Sequence, residues 1–286
     1  MKPSAAVVLL GAVLSGGAQT IRPPIVISAA ARAVQPGECV LLTITTTTAV
    51  PAVRARAFDH DLKAFPESPT VWRVLVGIDL DVAPGQHEVT VTAGADRATH
   101  TLAVESKSFP TRKLTVDEAF VNPPAEAMAR IEADTKRLAA VWAASATTRL
   151  WSGAFVRPVA EAANSAFGSR SVFNGEARSP HSGADFSSPA GTPVRAPNAG
   201  RVVLTGDLYF SGNTVILDHG LGLFSLFAHL RAIGVREGAM VTTGDVLGEV
   251  GATGRVTGPH LHWAVRANDA RVDPLSLLAL LGGKPR

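Results

Sequence analysis

Pro180-His181-Ser182-Gly183-Ala184-Asp185-Phe186 and, further on, Gly258-Pro259-His260-Leu261-His262-Trp263 bracket the stretch that decides how this chain is read. Between them stands Phe227-Ala228-His229-Leu230. The chain has 8 histidines, and His181, His229, His260 and His262 fall in these three short segments, so they are read as one constellation. The others, His60, His87, His100 and His219, show no comparable pattern. Imidazole nitrogen with carboxylate oxygen is a donor set suited to zinc. Three protein ligands with a fourth position left open is the catalytic arrangement.

Spacing carries the reading part of the way. On a strand through Leu261–Val265, alternation points His260 and His262 to one face. One ring can then bind a metal while the other serves the chemistry beside it, and spacing leaves the two interchangeable. His181 and Asp185 stand four residues apart, as on one helix face. Pro180, Gly183 and Ser187-Ser188-Pro189 argue against a helix there. They are read instead as the two ends of a tight loop-strand segment converging on one point. Either pair alone is a weak signal, since hydrogen-bonded histidines at strand ends are common. The set together is specific.

The motifs resemble those of the lysostaphin/LytM-type zinc endopeptidases, which cut peptide bridges in bacterial peptidoglycan. The resemblance runs from about Phe155 to Pro274 and includes Phe167-Gly168-Ser169-Arg170, Gly191-Thr192-Pro193-Val194-Arg195-Ala196-Pro197 and Asp218-His219-Gly220. Gly244-Asp245, Gly251-Ala252-Thr253-Gly254 and Asp273-Pro274 extend it. It implies Zn2+ held by His181, Asp185 and His262, with His229 and His260 as the catalytic pair. The resemblance, and not the spacing, separates His262 from His260. It implies an exported zinc metalloendopeptidase that hydrolyses peptide cross-links of peptidoglycan through zinc-activated water, with two histidines as acid and base. No His-Glu-x-x-His motif positions a glutamate for that task. A D-alanine to diamino-acid cross-link is the expected bond, and a glycine bridge the alternative.

Two other functional classes stand beside this one. One is a non-catalytic wall-binding regulator that activates another cell-wall hydrolase. The other is an adhesin built on the N-terminal part of the chain. The complete ligand set and both histidines argue against each. One departure from the family pattern is plain: Phe227 stands where relatives often carry tyrosine. The single tyrosine, Tyr209, lies downstream of the first ligand. An upstream tyrosine's role therefore falls to Asn174 or Arg178, or is absent.

Working outward, the C-terminal region 151–286 is β-rich. Apolar runs at Arg201–Leu204, Thr214–Leu217, Leu223–Phe227, Val246–Val250 and His262–Val265 are short and punctuated by Gly and Pro. No long amphipathic helix interrupts them, which predicts an antiparallel sheet with a groove and not a Rossmann-type domain. Asp273-Pro274 caps a short terminal helix ended by Gly282-Gly283. His219, between Asp218 and Gly220, reads as a turn residue.

The fold class expected is mainly β throughout. In 19–106, strands are predicted at Val40–Thr46, Val53–Phe58, Val71–Leu80, Glu88–Ala93 and Thr99–Val104, with turn residues between them. An immunoglobulin-like sandwich fits that spacing. Asp59-His60-Asp61 reads as a solvated turn. Cys39, in an apolar run, reads as a buried inert thiol, and a lone cysteine makes no internal disulfide. Residues 107–150 are a polar, Pro-rich linker and an amphipathic helix. Asn122 is its cap, Met128, Ile131, Leu138, Val141 and Trp142 form its apolar stripe, and Glu126/Arg130 and Glu132/Lys136 are i, i+4 pairs. The helix is expected to pack between the domains. The region from Phe155 to Arg286 is expected to fold and cleave by itself.

Residues 1–18 read as a signal peptide, with Lys2, a short apolar run and small residues before cleavage at Ala18. This places the protein outside the cytoplasm, periplasmic or secreted, with no stable membrane span after cleavage. A net charge of +3 with no basic run gives no argument for nucleic acid, while 46% hydrophobic residues support a sizeable core. The expected substrate is a peptidoglycan peptide. Another cell-wall hydrolase or a divisome component is the candidate protein partner.

Overall fold

The computed structural model of the chain describes residues 24–115, 123–164, 167–177 and 179–282. The signal-peptide reading, the Asn122 cap, Arg178 and Gly283 lie outside the described residues. The N-terminal strands are β1 (Ile25–Ala31), β2 (Cys39–Thr46), β3 (Val53–Ala57), β4 (His60–Leu62), β5 (Ala64–Ser68), β6 (Val71–Gly77), β7 (Gly85–Ala93) and β8 (Asp96–Val104). They form two antiparallel sheets, ordered β1-β2-β6-β5 and β4-β3-β7-β8. The inner faces supply Val40, Leu42, Ile44, Val74, Val76, Val89 and Val91 to one apolar cluster. This is the expected sandwich, with edge strands β1, β4 and β5 beyond those predicted.

β2 and β6 are buried on both faces, as a non-alternating apolar run requires. The residues between the inward ones, Cys39, Leu41 and Leu75, join Leu223, Trp263, Val272 and Leu277 of the C-terminal domain in a second cluster. Gly77 permits this approach: a Cβ there would lie 2.7 Å from the Ala267 carbonyl oxygen and from Ala270 Cβ. Polar contacts close the seam. Asn268 donates to the Leu75 carbonyl at 2.8 Å, and Arg32 reaches Asp273 at 2.7 Å and Glu38 at 2.7 Å. Arg271 holds Asp79 through Nε at 3.0 Å and Nη2 at 2.5 Å. The expectation of a self-contained C-terminal region is therefore revised, because the domains share a core. Cys39 is buried and its thiol is pushed far up by that burial, as an inert thiol should be.

β9 (Thr111–Leu114) leads to helix α1 (Met128–Ala143), which a 3-10 turn at Ala125–Ala127 precedes. α1 does not sit between the domains. Leu138, Val141 and Trp142 pack on Leu204, Leu208, Ile216 and Phe224 of the C-terminal sheet, where a wide apolar surface is available. Met128, at the other end of the stripe, is exposed. Glu132 and Lys136 pair at 2.7 Å as expected, while Arg130 turns instead to Asp207 at 2.8 Å.

The C-terminal strands are β10 (Arg170–Phe173), β11 (Glu176–Ala177), β12 (Gly183–Phe186), β13 (Pro193–Arg195), β14 (Gly200–Leu208), β15 (Gly212–Gly220), β16 (Leu223–Ile233), β17 (Met240–Val241), β18 (Val246–Val250), β19 (Leu261–Ala267) and β20 (Ala270–Val272). The main sheet is antiparallel and runs β12-β19-β16-β15-β14-β17, with β18 pairing β13 and β16, and β20 pairing β19. Helix α2 (Pro274–Leu281) closes the domain, with the Asp273 carboxylate accepting from Leu275 N–H at 2.9 Å as its cap. His219 is not in a turn: it lies within β15, fully buried, facing the Ala199 carbonyl at 2.8 Å and Ser225 Oγ at 2.9 Å. Burial lowers its pKa to about 4, so it is neutral and serves packing.

Candidate metal centre

β19 lies between β12 and β16, and the register sets the site. Asp185 is directly opposite His262, and His262 is in turn opposite Ala228. Cross-strand partners on one face stand ~5 Å apart, within reach of one another's side chains. His181 arrives from the segment before β12, its backbone anchored by N–H donation to the Ser169 carbonyl at 2.9 Å. His181 Nε2 lies 3.1 Å from Asp185 Oδ1 and 3.0 Å from His262 Nδ1, and His262 Nδ1 lies 2.9 Å from the same oxygen.

Three atoms so placed cannot all satisfy one another with hydrogen. If both ring nitrogens donate to Asp185, their hydrogens meet across 3.0 Å. If one donates to the other, an imidazole lone pair faces the carboxylate. A cation at the centre satisfies all three lone pairs, so this donor set fits a metal. The site's electrostatics agree. Burial opposes the charge on Asp185, yet its bonds to His181 and His262 reverse that and hold the carboxyl far below the usual range. Burial lowers the pKa of His262, which favours the neutral, ligating ring.

β12 can come this close to His262 only because residue 183 is glycine. A Cβ there would stand 2.6 Å from His262 Cε1 and 2.6 Å from the Trp263 carbonyl oxygen. The Phe227 ring is buried and stacked parallel to Trp263 at 6.4 Å, supporting β19 from behind. A hydroxyl at that position would enter an apolar layer.

The second pair of histidines stands over this cluster. β16 pairs with β19 as far as Ala228 and with β18 from Leu230 onward. His229 occupies the change of partner, with φ 64°, a left-handed conformation uncommon for a residue other than glycine. Two contacts hold it there: its N–H donates to the Ser211 carbonyl at 2.8 Å and its Nδ1 to the Thr253 carbonyl at 2.9 Å. His260 Nδ1 donates likewise to the Gly258 carbonyl at 2.9 Å. A carbonyl only accepts, so both rings carry hydrogen on Nδ1 and turn Nε2 toward the groove. Burial lowers the pKa of His229 to about 4, an effect the Thr253 bond opposes and the neighbouring His262 and His260 reinforce. The His229 and His260 ring centres are 4.9 Å apart, and His260 Nε2 lies 3.9 Å from Asp185 Oδ1.

The five residues predicted from sequence thus come together, lining a groove of about 550 Å3 with Leu138, Phe210, Leu226 and Arg255. Asn174 does not reach it: with Gly175 it makes the tight turn between β10 and β11. Tyr209 does not line it either; its neighbour Phe210 does. The carbonyls of Ser211, which holds the His229 backbone, and of Thr253 and Gly258, which set the two histidine rings, were not foreseen. The Gly251–Gly254 motif and Gly258 of the closing motif were their visible traces. His60, exposed at the start of β4, lies 3.9 Å from Asp269. Among the described residues, the cluster of His181, Asp185 and His262 is the one group arranged to hold a metal ion.

Comparison with known proteins places this geometry. The family described as Peptidase family M23 matches residues 179–274. DD-carboxypeptidase/endopeptidase Mpg of Neisseria meningitidis is 45% identical over 97 residues, which are 34% of this chain and 22% of that protein. Peptidoglycan DD-endopeptidase ShyA of Vibrio cholerae is 45% identical over 84 residues, 29% of this chain and 20% of that one. The matched segment therefore spans about a fifth of the length of these curated relatives. A crystal structure from Pseudomonas aeruginosa assigned to peptidase M23 superposes with a TM-score of 0.69 at 36% identity, covering 86% of this chain and 95% of that one.

Proposed function

The chain belongs to peptidase family M23, and from that premise we propose that it is an exported zinc endopeptidase hydrolysing peptide cross-links of peptidoglycan. The observation that carries this reading is the convergence of His181 Nε2, Asp185 Oδ1 and His262 Nδ1 beneath two histidines with free Nε2 atoms. His181, Asp185 and His262 would hold the metal. Zinc bound there supplies a Lewis acid that activates water near neutral pH and polarises the scissile carbonyl.

The remaining work falls to the chain's own groups. A peptide lies in the groove along β19, with its scissile bond at the ligand cluster. The Nε2 of His229 or His260 accepts a proton from the attacking water and returns it to the leaving amine. Before it passes that proton on, the same ring donates its Nε2–H toward the developing oxyanion. The Thr253 and Gly258 carbonyls keep both rings turned for this exchange. The D-alanine to diamino-acid bond is the substrate bond proposed, which the names of the two curated relatives support. Export is supported by the leader read in residues 1–18. Among the described residues, no helix is long and apolar enough to cross a membrane.

The test is metal content. Gently purified protein should carry close to one zinc per chain, and chelation should abolish cleavage. Absence of zinc with no gain on reconstitution would falsify the enzymatic reading. Gly183→Ala offers a finer check. Its methyl group has no room beside His262, so the ring must shift. Zinc affinity should fall about 10–100-fold, as for loss of a ligand-orienting contact. Competition with a chromogenic chelator measures this directly. Unchanged affinity would mean that β12 does not fix the His262 ring.

A further inference from the structure

The groove does not end at the ligand cluster. Leu138, Ser182, Leu226 and Ala264 line both the cavity over the histidines and an adjoining one of about 180 Å3. Its floor is β19, where half-buried His262, Ala264 and Arg266 alternate with buried Trp263, Val265 and Ala267. Arg266 therefore stands on the same face as His262, four residues or roughly 13 Å along the strand. Helix α1 supplies the wall, and the Arg266 guanidinium lies 4.9 Å from the centre of the Trp142 ring.

Arg266 is poorly matched within the protein. Nη1 donates to the Asp269 carbonyl at 3.3 Å, a long contact to a neutral acceptor. Among the described residues it makes no ion pair. The other charged side chain lining this cavity, Arg271, is already taken by Asp79 at 2.5 Å and Asp81 at 2.7 Å. Burial and the nearby Arg271 charge both work against the charged form of Arg266, with Asp269 and Asp79 only partly opposing them. A guanidinium held away from water, braced on an aromatic ring and lacking a carboxylate is stabilised by an anion, and its planar fork suits a carboxylate.

We infer that Arg266, with Trp142 beside it, forms a carboxylate-binding subsite that reads an acidic group on the third or fourth residue from the bond that is cut. The inference rests on the peptidase function proposed for the neighbouring cluster. Extended peptide advances about 3.3 Å per residue, so the separation along β19 matches that number of residues. Trp142 and Leu138 lie outside the residues matched to the family, 179–274. This part of the groove is thus built with the chain's own helix.

Two synthetic cross-linked stem-peptide dimers test it, identical except that the glutamate carboxylate three residues from the cross-link is free in one and amidated in the other. Zinc-loaded wild type should favour the acidic dimer in kcat/KM by about ten- to a hundredfold, mostly through KM, the range for one charge-assisted contact. Arg266→Gln should remove the preference by raising KM for the acidic dimer, and Arg266→Lys should restore part of it. Zinc content and Tm of both variants serve as folding controls. Equal use of the two dimers by wild type overturns the subsite, as does a loss of equal size on both dimers in Arg266→Gln. If wild type cuts neither dimer, the peptidase reading fails instead. Calorimetric binding of the two dimers then decides the subsite, and equal affinities would overturn it.

Discussion

Replacing His262 by alanine is expected to remove metal and activity together, whereas His260→Ala keeps the metal near wild-type occupancy and loses turnover by about a hundredfold or more. The two residues are two apart in sequence, and alternation gives them one face. The register separates them. His262 lies within β19, opposite Asp185, with Nδ1 2.9 Å from that carboxylate and 3.0 Å from His181 Nε2. His260 precedes the strand, spends Nδ1 on the Gly258 carbonyl and leaves Nε2 3.9 Å from Asp185. Removing the first takes a corner from the triangle of donors. Removing the second leaves the triangle whole and takes a proton carrier. His229→Ala should resemble His260→Ala. Zinc analysis and muropeptide release, run side by side on the three variants, give the answer. Zinc loss in His260→Ala with retention in His262→Ala would show the roles reversed.

Deleting the sandwich domain is expected to cost the C-terminal domain most of its stability. Cys39, Leu41, Phe65 and Leu75 are buried in the same cluster as Trp263 and Val272. At about 1.5–3 kcal/mol for each large apolar side chain, losing these contacts is worth roughly 5–10 kcal/mol, comparable with the whole stability of an ordinary domain. The cut also strips Asp79 from Arg271 and Ser276 Oγ from the Cys39 N–H, which it meets at 2.9 Å. A fragment of residues 123–286, which keeps α1, should therefore aggregate or melt well below the longer chain. Thermal denaturation of the two proteins in parallel tests this. A soluble fragment with an unchanged Tm would mean that the shared core contributes little.

The cluster proposed to hold the metal was legible because its chemistry is local in sequence. His181 and Asp185 share one short segment, and His260 and His262 share another. The resemblance to known endopeptidases then separated two residues that alternation could not. The sandwich was legible from strand spacing and turns. Its docking was written in the sequence too, since Cys39-Val40-Leu41-Leu42 lacks the alternation of a strand with one wet face. What stayed hidden depends on backbone contacts between distant segments. The left-handed φ of His229 is held by carbonyls of Ser211 and Thr253 that no residue type announces. His219 looked like a turn residue beside Gly220, and only the β15–β16 pairing buries it. The stripe of α1 showed that the helix packs, but could not show which surface it covers.

The central claim is that the cluster of His181, Asp185 and His262 serves hydrolysis of peptide cross-links. Mass spectrometry of muropeptides from purified peptidoglycan, digested by the protein with and without a chelator, tests it most directly. The account predicts that cross-linked dimers disappear as uncross-linked stem peptides grow, with intact glycan chains, and that chelation stops the change until zinc is restored. Dimers that persist with zinc-loaded protein, or loss of dimers that chelation leaves untouched, would contradict it.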